Sequence, residues 1–103
     1  MRVCEINFGG EIGTRPAVIL RNQNNNLEVM KITTKAKLND YGKYRLSGYS
    51  GVRGYVVTNT VYVVPKARVK RYTNKLFDYE SKAVFQQMNS YDRQGRLDRK
   101  IIG

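Results

Sequence analysis

A chain of 103 residues suits one domain with one modest core and leaves no room for a separate substrate domain. Nineteen Lys and Arg against eight Asp and Glu give a formal charge of +11, a field that draws polyanions, nucleic acid first among them, and repels basic partners. One cysteine and no histidine exclude an internal disulfide, a Ser-His-Asp triad, a His-pair ribonuclease and zinc held by His or by a thiolate cluster. From the N-terminus, Arg2 to Phe8 alternates Val3, Glu5 and Asn7 with Cys4, Ile6 and Phe8, the pattern of a strand with one better-buried face. Ala17 to Leu20 is apolar at every position and predicts a short central strand. Leu27 to Thr33 is its hairpin partner across the polar turn Asn22 to Asn26, with the alternation breaking at Met30. Gly42 to Leu46 reads as a shorter strand, and Tyr55 to Val64 as a β-rich run interrupted by Thr58-Asn59-Thr60, for about five or six strands in all.

After Pro65 the pattern changes: Asp78 is placed to cap a helix of about three turns whose apolar stripe runs through Phe77, Val84, Met88 and Tyr91. Consecutive strands followed by one helix predict a mainly β fold, a small, largely antiparallel barrel with the C-terminal helix packed on it. Residues 1–91 form that domain in this reading. Residues 92–103, half of them charged, form a basic tail expected to be loose or ordered by a partner, with Ile101 and Ile102 as its docking residues. No window approaches the roughly twenty apolar residues of a membrane span, so no membrane role is expected. A charged residue after Met1 and the lone Cys4 predict a cytoplasmic location.

The carboxylates show no tight cluster of the kind two-metal nucleases use, so neither a metal nor another cofactor is expected. The stretch Gly9-Gly10-Glu11-Ile12-Gly13-Thr14-Arg15-Pro16 lacks the Lys-Ser or Lys-Thr of a P-loop, and a strand rather than a helix follows it. What stands out is Arg15. Pro16 biases the residue before it toward an extended backbone, which holds the guanidinium at the mouth of a strand. A guanidinium there can donate two parallel hydrogen bonds to a phosphate and to the charge that develops on it. Arg-Pro before a strand also describes an ordinary exposed arginine, and Thr33 alone is equally a residue of high β propensity.

A second segment narrows the choice. The order of Gly-Thr-Arg-Pro before an apolar strand, Ile32-Thr33-Thr34-Lys35 ending the next, and Gly51 to Val69 with its Lys66-Ala67-Arg68 corner resembles the MazF/PemK family of toxin endoribonucleases over about residues 5 to 70. The resemblance implies an SH3-like, PemK-like barrel, usually a homodimer. It also implies an enzyme that cuts single-stranded RNA at short sequences without metal, leaving 2′,3′-cyclic phosphate ends, and that an acidic cognate antitoxin holds inactive. Position by position, it puts the catalytic arginine on Arg15 and the catalytic threonine on Thr33, with Thr34 the alternative one residue on. Glu11, Thr34, Lys35, Asn59 and Arg68 fall in the implied substrate-binding set. In-line attack by a ribose 2′-hydroxyl needs no protein nucleophile, which fits a chain without histidine.

Lys35, Lys37, Arg53, Lys66, Arg68, Lys70 and Arg71 are candidates for an RNA track, and Tyr41, Tyr44 and Tyr49 for base stacking. The chain also departs from the family. Its first loop is short, Thr58-Asn59 stands where Asp-Gln is common, and the C-terminal helical region is abbreviated. Two other readings remain: a non-catalytic barrel of this shape that binds a protein target, as in gyrase-poisoning CcdB relatives, and a basic nucleic-acid-binding module without cleavage.

Overall fold

A computed structural model describes residues 1–35 and 42–103. Expectations for Lys37 and Tyr41 lie outside the described residues. The elements are β1 (Arg2–Asn7), β2 (Thr14–Gln23), β3 (Asn26–Thr33), β4 (Lys43–Arg45), β5 (Tyr55–Val57), β6 (Thr60–Pro65), a 3-10 turn (Lys66–Arg68), β7 (Val69–Lys75), α1 (Asp78–Arg93) and β8 (Asp98–Ile101). The path β4-β5-β3-β2-β1-β7 is antiparallel throughout, and β6 joins it by pairing with β3. Because β3 gives its first half to β6 and its last residues, Ile32 and Thr33, to β5, the sheet curls on itself as a barrel does. The expected mainly β barrel with one helix is the observed fold.

The curl explains the broken alternation at Met30. Leu27 and Val29 belong to one apolar cluster with Cys4, Ile6, Phe8, Ala17, Tyr62 and Val64. Met30 and Ile32 belong to a second cluster, with Val3, Val18, Val56, Val61 and Val84 of α1. Odd and even residues of one strand point to opposite faces, so burial passes from one face of β3 to the other between Val29 and Met30. The bulge sits across the ladder in β2, where Ile19 faces Val29 and Arg21 already faces Glu28. The hairpin turn is tight: Gln23 pairs Asn26, and Asn24 takes φ +47°, a left-handed conformation that asparagine tolerates.

Four expectations give way. β2 is ten residues long rather than four, because Arg15 and Thr14, although exposed, complete the ladder with Ile6 and Asn7. β7 was not expected at all: its sequence VKRYTNK has no apolar alternation, since β1 supplies its hydrogen bonds and nearly every side chain is exposed. The tail is not loose. α1 ends at Arg93 and the chain turns at Gly95 (φ +69°), where the Gly95 and Arg96 N–H groups donate to the Asp92 and Tyr91 carbonyls. The chain then lies parallel to β6 as β8, with Arg99 on Glu28 at 2.9 Å. Ile102 packs on the first cluster while Ile101 stays 83 % exposed. Asp78 is the first residue of α1 and not its cap. Phe77 occupies that position without a side-chain hydrogen bond, and Asp78 and Glu80 place negative charge in the first turn, where the helix dipole favours it.

Candidate active site

The β2–β3 ladder carries Arg15 to Thr33. Ala17 pairs with Lys31, and continuing that register sets Arg15 opposite Thr33, with both side chains on one face. A cleft of 340 Å³ opens there, lined by Arg15, Pro16, Ile32, Thr33, Thr34 and Lys35. The structure thus brings together four of the seven residues singled out in the sequence: Arg15, Thr33, Thr34 and Lys35.

Arg15 and Thr33 are left with donors for a ligand. Arg15 is exposed, and its guanidinium donates to the neighbouring Thr14 carbonyl at 2.9 Å through one nitrogen, Nη1. Thr33 Oγ1 accepts the Lys35 N–H at 3.2 Å, a local turn that fixes the oxygen while its own proton remains available to donate. Lys43 Nζ reaches the Lys35 carbonyl at 3.4 Å, so the rim is cationic.

The loop in front of Arg15 is compact. Phe8 N–H donates to the Gly13 carbonyl at 2.9 Å, Gly13 N–H to Gly9 at 3.1 Å, and Gly9 N–H to Asn7 Oδ1 at 2.9 Å. Gly9 has φ +76°, and a Cβ there would stand 3.0 Å from Arg68 Nη1. A side chain would be strained by the backbone and crowded by the guanidinium.

The remaining candidates lie elsewhere. Glu11 is exposed in the loop turn and does not line the cleft. Asn59 occupies the β5–β6 turn, where its carbonyl accepts the Asp98 N–H at 2.9 Å and its Oδ1 accepts from the Thr60 hydroxyl at 3.2 Å. Arg68 is spent on structure: Nη1 donates to the Asn7 carbonyl at 3.2 Å, and Nε (2.9 Å) and Nη2 donate to the Gly103 carbonyl. Of the stacking candidates, Tyr44 is half-buried against the core and Tyr49 is 83 % exposed. Burial, with Glu80 and Tyr79 nearby, holds the Tyr44 hydroxyl above its ordinary pKa.

Two positioning residues were missed. Gly54 (φ +115°) lies so close to β3 that a Cβ would stand 2.6 Å from the Thr33 carbonyl oxygen, so only glycine lets the β4–β5 loop back Thr33. A glycine opening a β-rich run was the available signal. Glu80 is fully buried, and its Oε2 accepts the Ser47 N–H at 2.9 Å and the Ser47 hydroxyl at 3.2 Å, which ties α1 to that same loop. Its Oε1 has no hydrogen-bond partner among the described residues. Nothing in the sequence distinguishes this buried glutamate from a solvated first-turn acid.

Among the described residues no group of three His, Cys, Asp or Glu is placed to hold a metal ion, and no helix is long and apolar enough to cross a membrane. No protein-family model and no curated protein matches the chain. Solved structures do. A MazE-MazF structure from Deinococcus radiodurans is similar at TM-score 0.76 and 18 % identity, over 89 % of this chain and 92 % of that one. The Mycobacterium tuberculosis toxin MazF-mt6 is similar at TM-score 0.72 and 17 % identity, over 89 % and 97 %. An endoribonuclease from a Mycobacterial species, in complex with its cognate antitoxin, is similar at TM-score 0.67 and 15 % identity over 91 % of both chains. The fold of this chain is the fold of the MazF toxins.

Proposed function

We propose that this protein is the toxin of a toxin–antitoxin pair, an endoribonuclease that cuts single-stranded RNA without a metal ion. The observation that carries the reading is the cross-strand meeting of Arg15 and Thr33 over one cleft, two residues that the sequence pattern singles out separately. The fold shared with an endoribonuclease bound to its cognate antitoxin supports it.

In the proposed reaction the ribose 2′-oxygen attacks the adjacent phosphorus and the P–O5′ bond breaks. The products are a 2′,3′-cyclic phosphate and a 5′-hydroxyl. The 2′-hydroxyl gives up one proton and the 5′-oxygen takes one, both exchanged with water. Arg15 donates to a non-bridging oxygen and offsets the charge that grows there, and the Thr33 hydroxyl donates to the same phosphate. Lys35 holds a flanking phosphate, Thr34 completes the wall, and Glu11 meets the RNA from the loop. Asn59 and Arg68, held by β8 and the chain end, act in this reading through the shape of the fold.

The antitoxin that this charge calls for is an acidic, extended segment with apolar anchors laid along the same cationic rim. The protein works in the cytoplasm as a homodimer. Incubating a long single-stranded RNA with the protein in excess EDTA and mapping the ends tests the reading. Cuts at a few short motifs with cyclic phosphate ends, lost in Thr33→Ala, are expected. Salt-sensitive binding without any cut would instead make the chain a binding module.

A further inference from the structure

Among the described residues β4 pairs with β5 alone and so ends the sheet, and α1 lies along its open edge. The Thr58 N–H donates to the Gly42 carbonyl at 2.7 Å and the Leu46 N–H to the Gly54 carbonyl at 2.9 Å, so the peptide groups of Gly42, Tyr44 and Leu46 face β5 and those of Lys43 and Ser47 face outward. Two side chains of α1 meet these outward groups. Gln87 Nε2 donates to the Lys43 carbonyl at 3.1 Å and to the buried Thr58 hydroxyl at 2.9 Å, and Glu80 Oε2 accepts the Ser47 N–H at 2.9 Å. Seven residues of helix rise about 10.5 Å and four residues of strand about 13 Å, so two turns of α1 come close to the span of β4. One turn beyond Gln87, the Tyr91 hydroxyl accepts the Gly42 N–H at 3.1 Å. On the same stripe of α1 Val84 does the packing, so Gln87 brings hydrogen bonds that packing alone does not need.

The start of β4 leads to the cleft by two routes. Lys43 Nζ donates to the Lys35 carbonyl at 3.4 Å, and the Lys35 N–H donates to Thr33 Oγ1 at 3.2 Å. Through the sheet, β4 holds β5, whose Val56 and Tyr55 pair with Ile32 and Thr33.

We propose that Gln87 is a positioning residue for RNA cleavage: from α1 it fixes the start of β4, and through Lys43 and Lys35 it fixes the turn that aims the Thr33 hydroxyl. The inference rests on the reading of the Arg15 cleft as the site of cleavage. Gln87 does not line that cleft, so it acts on the phosphate through Thr33. A donor moved out of line weakens the transition state more than it weakens the hold on the bound strand, so the loss falls on kcat rather than on KM.

Gln87→Met keeps the length of the side chain without its donors, and Gln87→Glu keeps its shape while an ionised carboxylate cannot donate. Cleavage of one single-stranded RNA in EDTA is followed for the native protein, both variants, Thr33→Ala, and Gln87→Met combined with Thr33→Ala, each well below its thermal midpoint and with enzyme in excess so that slow cutting is read. Each Gln87 variant is expected to lower kcat about tenfold with KM within about twofold of native. The salt dependence of KM is expected to stay native, since no phosphate contact is lost. In the Thr33→Ala background Gln87→Met is expected to cost less than about twofold, because the hydroxyl it positions is gone. Native kcat in both Gln87 variants, a loss carried by KM, an equal loss in the two backgrounds, or variants that no longer unfold cooperatively would make Gln87 a residue of the fold alone and overturn the inference, with the cleft reading left standing. A native protein that cuts no RNA overturns both.

Discussion

Arg15 and Arg68 stand on either side of the Phe8–Gly13 loop, one at the mouth of β2 and the other in the 3-10 turn before β7, and their guanidinium groups are occupied very differently. Arg68 spends its donors on the Asn7 and Gly103 carbonyls, so it seams the first loop to the end of the chain. Arg15 spends one donor on the carbonyl of its own neighbour and keeps the rest toward a cleft it shares with Thr33. Both belong to a net charge of +11, and both were read from the sequence as functional. What a guanidinium has left to donate, rather than its presence in a basic patch, separates the seam from the site.

Substitutions break the comparison in order of size. Arg15→Ala is expected to slow RNA cleavage by about 10²–10³-fold, the usual cost of a lost transition-state donor, with an unchanged thermal midpoint. Cys4 of β1, paired across the sheet with Ala17 and Tyr72, is fully buried, and burial pushes its thiol up to about 11. Between pH 9 and about 11 the unfolded chain gives up this proton while the folded chain keeps it, so native stability falls as pH rises. Urea titrations of native protein and Cys4→Ala across that interval are expected to differ by roughly 2–3 kcal/mol less at the alkaline end than at pH 8, and native Cys4 to resist alkylation at pH 8. Glu80→Ala is expected to cost about 1–3 kcal/mol by urea unfolding, because it orphans the Ser47 N–H and frees the loop behind Thr33. Arg68→Ala is expected to lower stability by about 1–2 kcal/mol by the same measurement while cleavage stays within a few-fold of native.

The cleft was legible for a physical reason. Arg15 and Thr33 lie on adjacent strands joined by a tight hairpin, and a short turn plus alternation carries register information over a few residues. The seam was not legible, since Arg68 meets Asn7 and Gly103 through contacts 61 and 35 residues apart that no local pattern encodes. β7 and β8 escaped for a related reason: exposed side chains on both faces erase the period-two signal, and only pairing with β1 and β6 makes VKRYTNK and DRKI strands. Gly54 and Glu80 act on Thr33 through the β4–β5 loop, and their importance appears only once that loop is folded against β3 and α1.

The central claim is that Arg15 carries chemistry and Arg68 carries structure. The most direct measurement is cleavage of one single-stranded RNA in EDTA by native protein, Arg15→Ala and Arg68→Ala, with thermal midpoints recorded on the same preparations. Loss of cleavage at native stability for Arg15→Ala, and loss of stability with cleavage retained below the midpoint for Arg68→Ala, is the predicted result. Undiminished cleavage by Arg15→Ala would contradict it.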